Sequence, residues 1–345
     1  GDLNIARRQF AASGTGTSAV VSGGATPPPV SAGPVAYTEE WTGAGAPAGA
    51  WSTVNSLNTA RSGVVGAKNG TQTAGLVFGA YSPGPGAKSK TESWNGTNWT
   101  NANDLNNGRS LGGSGGTQTA AIFATGIYPV SGSTLDATVE TFNGTNWTEV
   151  NDVNTARYNV GGAGTTSGAL IFGGEYPGGG GTRAYTESYN GTNWTEVNDL
   201  SNGRAMCAQS AGVTNTACIA VGGENPPPNL LPYTEIWNGT NWSEVSDLNS
   251  GRQSGSMFGS STSALIFGGT KAAPNPVTAN TELWNGSSWS EQNDLNLART
   301  NTFAGVGTST AGIAAGGYLP GSSAVTGSTE SWSNPATITK TVSTD

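Results

Sequence analysis

Apolar residues along this chain come in short bursts separated by polar turns, and nowhere do they follow a helical period. The clearest bursts are Leu170-Ile171-Phe172 and Leu265-Ile266-Phe267, each closed by a Gly-Gly pair at 173–174 and 268–269. A continuous apolar run of about four residues between turn signals predicts a strand buried on both faces. Before each burst lies a stretch rich in Gly, Ala and Ser, as at 158–164, whose small side chains suit a strand crowded against other backbones near an axis. After it comes a Pro- and Gly-rich loop that differs every time, for instance around Pro226-Pro227-Pro228. A Thr-Glu-x-aromatic stretch, an Asn-Gly pair and a stretch opening on Trp complete the unit. Asn-Gly in this setting predicts a hairpin with a type I′ turn. The unit is therefore four short strands, labelled A to D in chain order.

The unit recurs throughout. Its entry is marked by Arg7, Arg61, Arg109, Arg157, Arg204, Arg252 and Arg299, at intervals of 47 to 54 residues. Strand C carries Glu39, Glu92, Glu140, Glu187, Glu235, Glu282 and Glu330, and strand D opens on Trp51, Trp99, Trp147, Trp194, Trp242 and Trp289. Self-similarity at a fixed period marks stacked supersecondary units. Four strands in seven copies predict an all-β chain: a seven-bladed β-propeller of four-stranded antiparallel blades spanning 1–345 as one domain, with six blades as the alternative. The first copy replaces the tight turn with 42–50, and the last has no Trp after Trp332, so its strand D falls to 338–342 or is absent. On this reading no terminal strand crosses over, and closure rests on packing of the first blade against the last. The opening residues fall inside a unit, as expected of a piece of a longer polypeptide.

The Gly-Gly after strand B, the aromatic residue of strand C and the Trp of strand D resemble the kelch repeat over nearly the whole chain. The entry segment, as in Asp294-Leu295-Asn296-Leu297-Ala298-Arg299, departs from the usual kelch connection.

Composition narrows the chemistry. With 54 Gly and only 34% hydrophobic residues the chain approaches low-complexity composition, but 11 Trp at repeat positions require a packed core. A net charge of −8 argues against nucleic acid, which needs clustered Lys and Arg. No apolar run reaches the ~20 residues of a membrane-spanning helix. The chain has no His, which removes His-dependent triads and His metal sites. The expectation is a non-enzymatic protein with neither metal nor cofactor. A pair of loop carboxylates among Asp136, Glu175 and Glu224 would be needed for glycan cleavage.

One Arg and one Glu per blade, such as Arg157 with Glu187 and Arg204 with Glu235, read as ion pairs of the frame, because a site repeated in every copy is structural. Trp194 and Trp242 read the same way. Cys207 and Cys218 flank a turn that would set them opposite one another, as a cross-strand disulfide or as two small buried thiols. In an up-and-down blade the A–B and C–D hairpins share one face and the B–C loops the other, so the divergent loops gather on one face, where binding residues belong. The candidates there are Tyr81, Tyr128, Tyr176, Arg183, Leu230, Leu231, Lys271 and Tyr318.

The phrase N-G-T-N-W-T-E-V-N-D-L, read at 190–200, resembles repetitive proteins encoded by marine bacteriophages. That resemblance implies a virion surface component, a tail fibre, receptor-binding or decorating propeller, with a host surface glycan or other virion proteins as partner and a homo-oligomer compatible with it. The alternative is a secreted bacterial lectin or adhesin.

Overall fold

The computed structural model describes residues 11–15, 18–22, 38–42, 49–80, 88–128, 134–177, 181–226, 229–272, 276–300, 302–320 and 324–334. Side chains at 11–42, 208–213 and 302–303 fall outside that description. The chain divides into two units, Gly1–Gly49 with Asn334–Asp345, and Ala50–Ser333.

The larger unit is a ring of antiparallel blades in which strands A, B, C and D follow one another outward from the axis. The third blade is representative: Gly161–Thr165, Gly168–Phe172, Thr186–Tyr189 and Trp194–Val197. Strand B is buried on both faces, and strand D buries only its opening Trp. The inner strands approach so closely that a Cβ on Gly162 would lie 2.4 Å from the backbone nitrogen of Ser114 in the preceding blade, which is why strand A is written in small residues.

The ring has six blades, the smaller of the two numbers the repeat allows. The seventh D strand supplies the reason. Ala50–Val54, which follows the first unit's strand C in sequence, pairs instead with Thr329–Ser333 and completes the last blade, with Trp51 opposite Trp332. A strand does cross over to close the ring, contrary to the expectation that packing alone would do so. Val64–Gly66 of the first blade also pairs in parallel with Thr302–Phe303. What remains of the first unit is a three-stranded sheet, Ala11–Thr15, Ser18–Ser22 and Thr38–Thr42. Residues 338–342 and Arg7 lie outside the described residues.

Three repeated devices hold the blades together. Each described entry Arg is buried and meets the strand C Glu of its own blade, at 2.5 Å for Arg157–Glu187, 2.8 Å for Arg204–Glu235 and 2.6 Å for Arg299–Glu330. Burial pushes Arg61 and Arg299 down to about 10 against the opposing pull of Glu92 and Glu330, so both guanidinium groups stay charged at neutral pH. The same Glu accepts backbone N–H groups of the incoming D–A link, as Glu187 does from Asn154 and Thr155, so each ion pair pins a blade to the connection that enters it.

The second device is a backbone bond from the second position of each Gly-Gly, or its equivalent, to the next blade's Arg carbonyl. Gly174 donates to Arg204 and Gly223 to Arg252 at 2.9 and 2.8 Å, and Gly317 returns to Arg61 at 3.0 Å. Gly173 and Gly174 both have positive φ, and a Cβ on Gly173 would lie 2.6 Å from the Arg204 carbonyl oxygen.

Third, the strand D indole donates to the strand C Thr of the blade before: Trp242 to Thr186, Trp289 to Thr234, Trp147 to Thr91, Trp99 to Thr329 and Trp51 to Thr281, at 3.0–3.1 Å. Trp194 breaks the series, because Val139 stands where its Thr should be, and its buried Nε1 has no acceptor.

Two further expectations are corrected. The Asn-Gly pair is not a two-residue type I′ turn: Tyr189 pairs with Trp194, leaving four residues between, and only the Gly has positive φ. The Asn190 side chain accepts from the N–H groups of Thr192 and Asn193, an Asx turn that explains the invariant Asn. Cys207 and Cys218 are free and buried. Ala208 pairs with Val221, so Cys207 lies near Gly222–Gly223, roughly four residues or ~13 Å along the strand from Cys218, too far to bridge.

The first blade carries an insertion. Its A–B connection bulges inward at Lys68-Asn69-Gly70, where the Asn69 N–H donates to the Gly116 carbonyl of the second blade and its Nδ2 to the Gly164 carbonyl of the third. The turn therefore reaches across the axis at the hairpin end. It carries Lys68 into the interior, where burial pushes the ammonium down to about 7.

Candidate functional site

Strand A begins on the loop face, at the mouth of the ring, in a conformation that sequence gave no hint of. Among the described residues, the second residue after the entry Arg takes positive φ in five blades: Gly63, Leu111, Asn159, Met206 and Ser254, at 52–63°. For a non-Gly residue that conformation costs of order 1–3 kcal/mol and needs over-determined surroundings. They are provided by a backbone chain around the mouth, in which Asn159 donates to Leu111, Met206 to Asn159 and Ser254 to Met206, at 2.7–3.0 Å.

A second circle lies against the first. In five blades the residue after the Arg forms a backbone bridge with the residue after the Gly-Gly or its equivalent: Ser110 with Ile127, Tyr158 with Glu175, Ala205 with Glu224, Gln253 with Thr270 and Thr300 with Tyr318. The backbone of these two circles is regular, yet hardly a side chain is repeated. Elsewhere the repeat preserves Arg, Glu, Trp and Asn; here it preserves geometry alone.

The polar side of the mouth is formed by the third to fifth blades. The Asn159 amide donates to Glu175 at 2.6 Å, and the Gln253 amide, turned with its nitrogen toward Glu224, donates to both oxygens of that carboxylate. Burial, and then the charge of Glu175, push the Glu224 carboxyl above the usual carboxylate range, with the Gln253 bond opposing. Two acids at equivalent positions of adjacent blades thus lie close enough for the charge of one to act on the other. Asp136 does not join them. It is 6% exposed, its carboxylate lies 3.6 Å from Arg109 and accepts from the Thr138 N–H, and it serves the frame.

From Gln253 and Thr270 a groove of about 880 Å³ runs outward between the fourth and fifth blades. Asn229 and Leu230 form one wall; Ser250, Lys271 and the backbone of Gly251 form much of the other. The Lys271 ammonium donates to Asn280 Oδ1 at 2.9 Å, and burial, then Arg252, push it down from its ordinary value.

The residues expected on this face are spread around it. Tyr318 belongs to the mouth, and Leu230 and Lys271 line the groove. Tyr176 and Arg183 meet each other, the guanidinium 4.5 Å from the ring centroid, and Arg183 also bonds the Gly181 and Thr182 carbonyls of its own loop. Tyr128 packs over Asp136, and burial with that carboxylate pushes its phenol up. Leu231 is 6% exposed and belongs to the core, which removes it as a contact. Tyr81 lies outside the described residues. Tyr158, Asn159 and Gln253 were missed, because they sit in the stretch read only as strand A; their signal was that the two positions after each Arg vary where the Arg itself does not.

No protein-family model matches the chain, and no curated protein does. Among solved structures, that of YjhT, a β-propeller, is similar with a TM-score of 0.67 at 14% identity, covering 80% of this chain and 95% of that one. At that identity the likeness speaks to the fold alone.

Proposed function

We propose that this protein is a non-enzymatic binding module of a phage particle that contacts a host surface glycan through the mouth and the groove of its loop face. One observation carries the reading: a frame that repeats Arg, Glu, Trp and Asn through its body holds varied, half-buried side chains, among them Tyr158, Glu175, Glu224, Gln253, Thr270 and Tyr318, on a hydrogen-bonded backbone at the mouth. Loops and strand ends set on a rigid scaffold are where recognition is built. Amides, hydroxyls and a Tyr at Asn229, Ser250, Gln253, Thr270 and Tyr318 suit a hydroxylated ligand. The phage assignment rests on the likeness of the repeat phrase to marine phage proteins.

The test is a glycan array and whole-cell binding screen with the purified protein beside Gln253→Ala and Tyr318→Ala. Binding lost in the variants at unchanged thermal stability supports the reading. Binding retained by both variants overturns the assignment to the mouth.

Glycan cleavage is a second reading, favoured by the charge of Glu175 acting on Glu224: the raised carboxyl of Glu224 would serve as acid, and Glu175, which accepts the Asn159 amide, as base or nucleophile. Release of new reducing ends from a bound glycan, abolished in Glu224→Gln, would establish it in place of simple binding.

A further inference from the structure

The groove between the fourth and fifth blades differs from the mouth in the sign of its charge. Gln253 and Thr270 belong to both, but the mouth holds two carboxylates and the groove a single ammonium, Lys271. Among the described residues no carboxylate lines the groove, in a protein whose net charge is −8.

The setting of Lys271 is the informative part. Lys90 is neutralised directly by Asp104, at 2.9 Å. Lys271 is held by an amide oxygen instead, and that amide's nitrogen turns away to Asp294, at 3.2 and 3.4 Å from its two oxygens. Asn280 is in turn fixed by Thr278, whose hydroxyl donates to the same amide oxygen at 2.5 Å. The arrangement aims the ammonium while spending one of its three donors on a neutral acceptor; Glu282, Glu291 and Asp294 act on its charge without an ion-pair contact, so donors remain for whatever enters the groove. Burial that depresses an amine is relieved by an anion placed beside it. The walls offer neutral donors and acceptors, and the volume is that of a multi-ring ligand rather than a lone ion.

We propose that this groove seats an acidic oligosaccharide, with Lys271 taking an anionic substituent and Asn229, Ser250, Gln253 and Thr270 taking ring hydroxyls. The proposal rests on the reading of this face as glycan-binding and adds the class of glycan. Glu224 stands at the inner end of the groove, so the acidic substituent lies at the outer end, and the ring nearest the mouth is uncharged.

The test is an array of uronate oligosaccharides, each printed also as its methyl ester, together with sulfated oligosaccharides. It is probed with the unaltered protein, Lys271→Gln and Lys271→Arg, all confirmed to melt alike. The expected result is at least tenfold tighter binding of acids than of their esters, a preference lost in Lys271→Gln and kept in Lys271→Arg. Uronates and sulfates binding alike would assign the site to anionic charge in general; uronates alone would assign it to carboxylates. Equal binding of acids and esters by the unaltered protein, or an acid preference that survives Lys271→Gln, overturns the proposal while leaving a neutral-glycan site standing. Binding of no printed glycan, neutral or charged, overturns the underlying reading as well.

Discussion

The body of the ring and its mouth are built on the same six-fold repeat and treat it in opposite ways. In the body the side chains repeat, because each closes a specific bond: Arg to Glu within a blade and Glu to the link entering it, Trp to Thr between blades, and Asn within its own turn. At the mouth the backbone repeats and the side chains do not, so the bonds that hold it are main-chain bonds indifferent to residue type. A repeat protein can diversify only where the frame asks nothing of the side chain. The contrast predicts that body substitutions act on stability and mouth substitutions on binding.

The largest effect should come from breaking a buried pair in the body. Glu187→Gln leaves Arg157 buried without its counter-charge and strips the carboxylate that receives Asn154 and Thr155, so a loss of ~3–5 kcal/mol is expected in denaturant unfolding. Trp242→Ala should cost about as much, from lost volume and the lost bond to Thr186. A loss under ~1 kcal/mol in both would mean the pairs do not hold the ring.

Lys68 tests the body through pH. Its pKa falls from about 10.5 unfolded to about 7 folded, so the folded state binds fewer protons between those values. The sign follows: stability rises as pH goes from about 7 to 10.5, by at most ~1.4 kcal/mol per pH unit, and below 7 the full penalty of a buried ammonium remains. Lys68→Met should remove that rise and be the more stable protein at pH 6. Parallel stability curves for the two proteins would place the amine in solvent.

Val139 is a defect in the body's own code. Restoring the repeat with Val139→Thr gives the Trp194 indole the acceptor that its equivalents have, and should stabilise by ~0.5–1.5 kcal/mol. Thr186→Val, which copies the defect next to Trp242, should cost about the same. If the two changes do not have opposite signs, the Trp–Thr bond contributes nothing.

What the sequence revealed and concealed follows the same division. Blade, strand order and the Arg–Glu pairs were legible because each needs particular residues at a particular spacing. The number of blades was not, since a strand of the form Ala50–Val54 fits the edge of its own unit or of the last blade equally well, and sequence contains no term that chooses. Of the two readings left open for the Cys pair, the buried thiols are the one found, because the Ala208–Val221 pairing sets a register that keeps the two apart. Asn-Gly was assigned to the commoner turn, although the two residues after it allow an Asx turn. Asn159 and Gln253 were hidden for the opposite reason: positions with no rule leave no pattern to read, except that their disagreement is itself a pattern.

The smallest stability effect, and the sharpest test of the contrast, belongs to Glu224. Its raised carboxyl means that the folded state binds the proton more tightly than the unfolded chain does. The group's contribution is therefore favourable at acid pH and declines as pH rises from the unfolded value near 4.5 through the folded one. At neutral pH, then, the burial of the Glu224 carboxylate, and after it the charge of Glu175, works against the fold. Glu224→Gln removes the repulsion and the pH dependence together, and should change stability by no more than ~0.5 kcal/mol, in the stabilising direction at pH 7. A site kept at the expense of stability is kept for another purpose, so the same variant should lose glycan binding on the array. A variant that is both destabilised and binds as before would return Glu224 to the body, and with it the claim that the mouth is free of structural duty.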